Sequence, residues 1–91
     1  REKAKRQSSE FALASFSYVD GDGVWTERTV TDLAGYSDAG RQYVQGFCVD
    51  RGDVRTFRLD RIKGSVSVQP GGRQLSPSEF FGKLPYPSRR I

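Results

Sequence analysis

Tyr43-Val-Gln-Gly-Phe-Cys-Val-Asp50, continuing through Arg51-Gly-Asp-Val-Arg-Thr-Phe-Arg-Leu-Asp-Arg-Ile62, is the stretch that decides the fold. Two runs rich in aromatic and branched residues, Gln42 to Val49 and Val54 to Ile62, flank the turn residues Asp50 to Asp53. That pattern predicts a hairpin of two strands. The Arg51-Gly52-Asp53 tripeptide reads as its tip. If the second run is extended throughout, Arg55, Phe57, Leu59 and Arg61 share one face, and Thr56, Arg58 and Asp60 share the other. Phe57 and Leu59 are then core residues, Arg55 and Arg61 stand at the core's rim, and Arg58 faces solvent or Asp60. A bend after Leu59 would free Arg61.

On the N-terminal side, Phe11 to Val19 is aromatic and branched and ends at the turn cluster Asp20-Gly-Asp-Gly23. Asp20 and Asp22 lack the spacing and the closing Glu of a calcium loop, so a hairpin turn is the reading. Val24 to Leu33 follows as a second strand, and Gly35 to Gly40 reads as a break. On the C-terminal side Lys63-Gly64 interrupts, Ser65 to Val68 makes a short fifth strand, and Gln69 to Gly72 is a loop. Ser76-Pro-Ser-Glu79 has a helix start, with Ser76 as N-cap, Pro77 in the first helical position and Glu79 in the third. A short helix is expected over Pro77–Lys83, stopped by Pro85 and Pro87. Residues 1–10 read as a flexible basic segment and 11–91 as one domain. Five short strands in so little chain favour an all-β fold, a small five-stranded barrel with a short C-terminal helix. Trp25, Phe80, Phe81 and Tyr86 are expected to cap its open end, the alternative being a surface that docks a partner.

Composition narrows the function classes. The 91 residues suffice for one domain. A 35% hydrophobic and 29% charged composition, with no long apolar run, excludes a membrane-spanning helix. The chain contains no Met and begins at Arg1, which is expected of an excerpt from a longer chain carrying other domains. No His is present, which removes the commonest general base, the Ser-His-Asp triad, the Cys-His dyad and most zinc sites. Neither catalysis nor a metal or other cofactor is therefore expected. The single Cys48 cannot form an internal disulfide. It reads as a buried, unreactive thiol in a reducing compartment, hence a cytoplasmic protein. Net charge is +4, and eleven of the fifteen positive residues are Arg, whose planar fork suits phosphate.

The segment from Tyr43 to Ile62 is similar to the core of WYL domains. In that family a Trp-Tyr-Leu segment leads through a Gly and an aromatic, across a hairpin, to Arg-x-Phe-Arg-Leu-Asp-Arg-Ile. Arg55, Phe57, Arg58, Leu59, Asp60, Arg61 and Ile62 fall in place, and Phe16-Ser-Tyr18 with Arg28-Thr-Val30 fits the family's first hairpin. The triplet itself is Gln42-Tyr43-Val44 here, and the proline of the first hairpin is replaced near Asp32. The resemblance, over Phe11 to Val68, implies an SH3-like (Sm-like) barrel. It also implies a ligand-sensing or regulatory domain, found mostly in bacterial transcriptional regulators, that binds single-stranded nucleic acid or another anionic ligand.

The expected ligand site comprises Tyr43, Gln45, Phe47, Arg55, Arg58 and Arg61, with Arg55 and Arg61 more direct than Arg58. Arginines beside aromatics can clamp phosphates and stack on bases. The competing reading is that Arg58, Asp60 and Arg61 are mutually paired surface charges. A second function class stays open beside the first: a protein-interaction or dimerisation module that docks on a larger assembly, as a homodimer or against other domains of the chain.

Overall fold

A computed structural model describes residues 10–87; the basic segment at 1–9 and the Arg89-Arg90 tail lie outside the described residues. Six antiparallel strands form one sheet: β1 (Leu13–Val19), β2 (Trp25–Asp38), β3 (Arg41–Cys48), β4 (Asp53–Arg58), β5 (Ile62–Gln69) and β6 (Arg73–Leu75). A 3-10 turn at Leu59–Arg61 joins β4 to β5, and helix α1 (Pro77–Gly82) follows β6. The order across the sheet is β4-β3-β2-β1-β5-β6.

Turn chemistry explains each hairpin. Asp20 Oδ1 accepts the backbone N–H groups of Asp22 (2.9 Å) and Val24 (3.0 Å), closing the β1–β2 turn. Those two donors hold the Asp20 carboxyl below its ordinary pKa. Ala39 and Gly40 join β2 to β3 with φ of 50° and 79°, the two consecutive positive φ values of a type I′ turn. Alanine is strained in that first position, where Asn is favoured. Ala39→Asn should therefore raise unfolding stability by about 0.5–1 kcal/mol, read as a higher urea midpoint at unchanged slope.

The core is the inner face of the curled sheet. Ala14, Phe16 and Tyr18 alternate inward from β1, and Val30, Val44, Cys48, Phe57, Val66 and Val68 join them. Cys48 is fully buried, as expected, because it alternates inward with Val44 and Gly46 while its neighbours Phe47 and Val49 are exposed. Phe57 of β4 meets Phe16 and Tyr18 of β1 edge to face, with ring centroids 5.3 and 5.0 Å apart. Tyr18 Oη also accepts the backbone N–H of Arg58 at 3.0 Å. The sheet therefore curls until β1 and β4 touch through side chains.

Four expectations need correction. The fold is all-β with a C-terminal helix, but it has six strands rather than five and the sheet is open. Strands β4 and β6 remain its edges, because aromatic contacts and the 3-10 turn span the gap that a backbone ladder would have closed. The expected break at Gly35 does not occur. β2 continues to Asp38, because Gly35 lacks a Cβ where Phe81 Cε1 would lie 3.0 Å away, and its N–H donates to Pro85 O at 2.9 Å. Lys63-Gly64 is likewise no interruption. Gly64, at φ 74°, sits where the β1–β5 register shifts, so it marks a bulge inside a continuous strand. Finally, only Phe80 and Phe81 pack on the core, while Trp25 and Tyr86 are 63% and 61% exposed and cap nothing.

The helix start is as read from the sequence. Ser76 Oγ accepts the Glu79 N–H (3.2 Å) and Glu79 Oε1 accepts the Ser76 N–H (3.1 Å), a capping box with Pro77 inside it. The helix seats Phe80, fully buried and stacked on Phe11, as the plug of one end of the curled sheet.

Candidate functional site

Strand pairing divides the expected site between two faces. Along β3, Val44, Gly46 and Cys48 are buried, which turns Arg41, Tyr43, Gln45 and Phe47 outward. Their partners are set by register: Tyr43 opposite Arg58, Gln45 opposite Thr56, Phe47 opposite Val54. Four of the six expected residues, Tyr43, Gln45, Phe47 and Arg58, therefore share the outward face. Arg55 pairs with Gly46 and belongs to the other face. Arg61 lies in the 3-10 turn, where strand alternation no longer applies, and its guanidinium leans toward Gly21 of the first hairpin. The grouping of Arg55 and Arg61 with the aromatics is thus corrected. The reasons are that strand register pairs Arg55 with Gly46 rather than with an outward aromatic, and that the extended backbone stops at Arg58, before Arg61.

The outward face carries an aromatic platform that the sequence reading missed. Tyr36 of β2 lies directly opposite Tyr43, and the two rings stack with centroids 5.2 Å apart and planes 25° apart. Only the unexpected continuation of β2 past Gly35 places Tyr36 there. Beside the platform, Arg58 grips Asp60 in a two-point fork, Nε to Oδ1 at 3.0 Å and Nη2 to Oδ2 at 2.7 Å. Arg41 Nη1 stands 3.9 Å from the same carboxylate. The hydrogen bond from Arg58, and then the charges of Arg58, Arg41 and Arg61, hold the Asp60 carboxyl below its ordinary pKa. Asp60 in turn holds Arg58 more firmly protonated. By linkage, the pair contributes to stability above the ordinary carboxylate range, and that contribution is lost as pH falls through the lowered Asp60 value. A groove of about 650 Å³ adjoins Arg41 and Asp60, floored by Leu59, Ile62 and Pro77. That volume suits a small ligand or one nucleotide unit.

The inward face holds a second basic group, also missed. Arg28 is 7% exposed, hydrogen-bonded through Nε to Thr26 Oγ1 at 2.9 Å, with its guanidinium 5.6 Å from the Phe57 ring centre. The signal was present in Arg28-Thr-Val30: a charge two residues from a core valine on a strand must share its face. Arg55 Nε bonds Asp53 Oδ1 at 2.9 Å, which raises the pKa of the Arg55 guanidinium. Among the described residues no cluster of three or more His, Cys, Asp or Glu is placed to hold a metal ion. No helix among them is long and apolar enough to cross a membrane.

The domain is a curled antiparallel sheet with a capping helix, carrying arginines and aromatics on its open surfaces. The WYL domain family model matches residues 12–66, more than half of the chain, covering β1 to β4 and most of β5. The chain belongs to the WYL domain family, a family of ligand-sensing regulatory domains. Comparison with curated proteins and with solved structures gives no match.

Proposed function

We propose that this domain is a non-enzymatic sensor that binds single-stranded nucleic acid across the outward face of β2, β3 and β4. The observation that carries the reading is the Tyr36–Tyr43 stack with Arg58 in register beside it. Tyr36 and Tyr43 are half-buried, and aromatic rings on an open face accept bases of any sequence, at about 1–3 kcal/mol per stacked base. Arg58 and Arg41 lie where the phosphates of such a strand pass. Asp60 keeps the Arg58 fork extended and partnered until phosphate replaces the carboxylate, since both offer oxygens to a guanidinium in the same bidentate way. The net charge of +4 favours the encounter.

The test is titration of a fluorescent single-stranded oligonucleotide at two salt concentrations. Binding should weaken as salt rises, because phosphate contacts release counterions. Tyr43→Ala and Arg58→Ala should each lose affinity while remaining folded. Arg55→Ala, on the other face, should bind like the unaltered domain. Equal losses for Arg55→Ala and Arg58→Ala would mean that the outward face is not the site.

One observation favours a second reading, a module that docks on a partner protein. Phe47, Val49 and Val54 are exposed together around the β3–β4 hairpin, with Phe47 and Val54 directly opposed. Sedimentation of the domain distinguishes self-association through this patch from a monomeric nucleic-acid binder.

A further inference from the structure

We propose that Arg28 is the receptor for a phosphate group at the open end of the curled sheet, on the face opposite the tyrosine platform. The inference goes beyond the nucleic-acid reading and uses none of its residues.

Burying an arginine is unfavourable unless its charge is compensated. Arg28 is more than nine-tenths buried, yet no described carboxylate bonds it. Its Nε is satisfied by Thr26 Oγ1, and its Nη1 has only the weak contact with Cys48 Sγ at 4.0 Å. Nη2 has no protein partner among the described residues, and no buried side-chain nitrogen is left unsatisfied, so Nη2 meets solvent. Nη2 and the second N–H of Nη1 are therefore the groups left to take two oxygens of one anion. That is the bidentate geometry by which arginine binds phosphate. Phe57 lies against the guanidinium and fixes its orientation, so little freedom is lost on binding.

The surroundings support an anion here. Helix α1 and Phe80 close one end of the sheet, whereas Trp25, near Arg28 in the strand, alternates to the face opposite Arg28 and does not pack over it. Arg61 leans over Gly21, and both Arg28 and Arg61 act on the carboxylate of Asp20. Asp20 Oδ1 is committed to the backbone of its turn and Asp53 Oδ1 to Arg55, so neither bonds the Arg28 guanidinium directly.

The experiment measures unfolding midpoints and backbone amide shifts against inorganic phosphate at constant ionic strength. Phosphate should raise the midpoint of the unaltered domain saturably and shift the amides of Thr26, Arg28 and Cys48. Arg28→Met keeps the stem on Phe57 and removes the charge, a change that is often neutral or stabilising for a buried ion. It should weaken phosphate binding about 10–100-fold, the equivalent of one charge-assisted hydrogen bond. In Arg58→Ala the amides of Thr26, Arg28 and Cys48 should still shift with phosphate, so that failure of the outward-face reading leaves this result intact. A 5′-phosphorylated dinucleotide that competes with phosphate, where its unphosphorylated form does not, identifies a nucleic-acid terminus as the source. Binding of free phosphate without such competition identifies a small phosphorylated metabolite. An equal midpoint rise in Arg28→Met and the unaltered domain, or amide shifts confined to other residues, would overturn the assignment. If Arg28→Met does not fold, the amide shifts in the unaltered domain decide the matter alone.

Discussion

Phe80→Ala should destabilise the domain by about 3–5 kcal/mol, the range for removing a large, fully buried aromatic side chain. A 91-residue domain has roughly 5–15 kcal/mol of stability in all, so this variant sits near the folding threshold. The effect is large because Phe80 holds two structures at once. It is stacked on Phe11, ring centroids 6.1 Å apart, and belongs to the core that contains Val66, Val68 and Leu75. It also anchors α1, whose six residues are too few to remain helical without tertiary contacts. Loss of the ring leaves a cavity and releases the helix together with the Phe81 and Leu84 contacts that follow it. Urea unfolding at equilibrium measures this directly. A loss below about 1 kcal/mol would show that the helix is an appendage rather than part of the core, since surface changes generally fall under that value. The outcome matters for the family as well, because the helix lies beyond the 12–66 match and is here an integral plug.

Gly46→Ala should be the second severe change, destabilising by about 3 kcal/mol, at the upper end for an overpacked site. Gly46 faces the bulge of β2. Thr31 pairs with Phe47 and Ala34 with Gln45, so Asp32 and Leu33 together oppose this one glycine. Asp32 adopts φ 55° to make the bulge, and the strand bends across the Gly46 backbone. A Cβ at Gly46 would meet the Val30 Cγ1 methyl and stand 2.6 Å from the Thr31 carbonyl oxygen. The methyl belongs to a fully buried side chain and the oxygen to the backbone, so neither yields without moving β2. Movement of β2 also separates Tyr36 from Tyr43, so oligonucleotide affinity should fall beyond what partial unfolding explains. Gly82→Ala is the control: a Cβ there meets nothing within 4 Å, and stability should hold or rise slightly. Gly46→Ala with an unaltered urea midpoint would refute the bulge as the determinant of the β2–β3 register.

Gly46 also shows why some of this domain was legible in one dimension and some was not. The all-β class, the turns at Asp20–Gly23 and Asp50–Asp53, the capped helix at Ser76 and the burial of Cys48, Phe57 and Leu59 were legible in the chain alone. Each of these rests on local physics: side chains alternate every second residue along a strand, a carboxylate caps the turn next to it, and serine caps the helix it precedes. The resemblance of Tyr43 to Ile62 to WYL domains was legible for the same reason, since it lies in contiguous residues. Tertiary structure alone decided where alternation stops or slips. The 3-10 turn at Leu59–Arg61 takes Arg61 out of the strand alternation, and strand pairing decides that Arg58, not Arg55, shares the face of Tyr43. Gly35 became strand because Phe81 and Pro85, far along the chain, pack and bond against it, and only that contact carries Tyr36 to Tyr43. The open sheet, the tyrosine platform and the buried Arg28 all depend on residues that meet across the curl. Their contacts are set by packing between distant segments, on which a two-residue period carries no information.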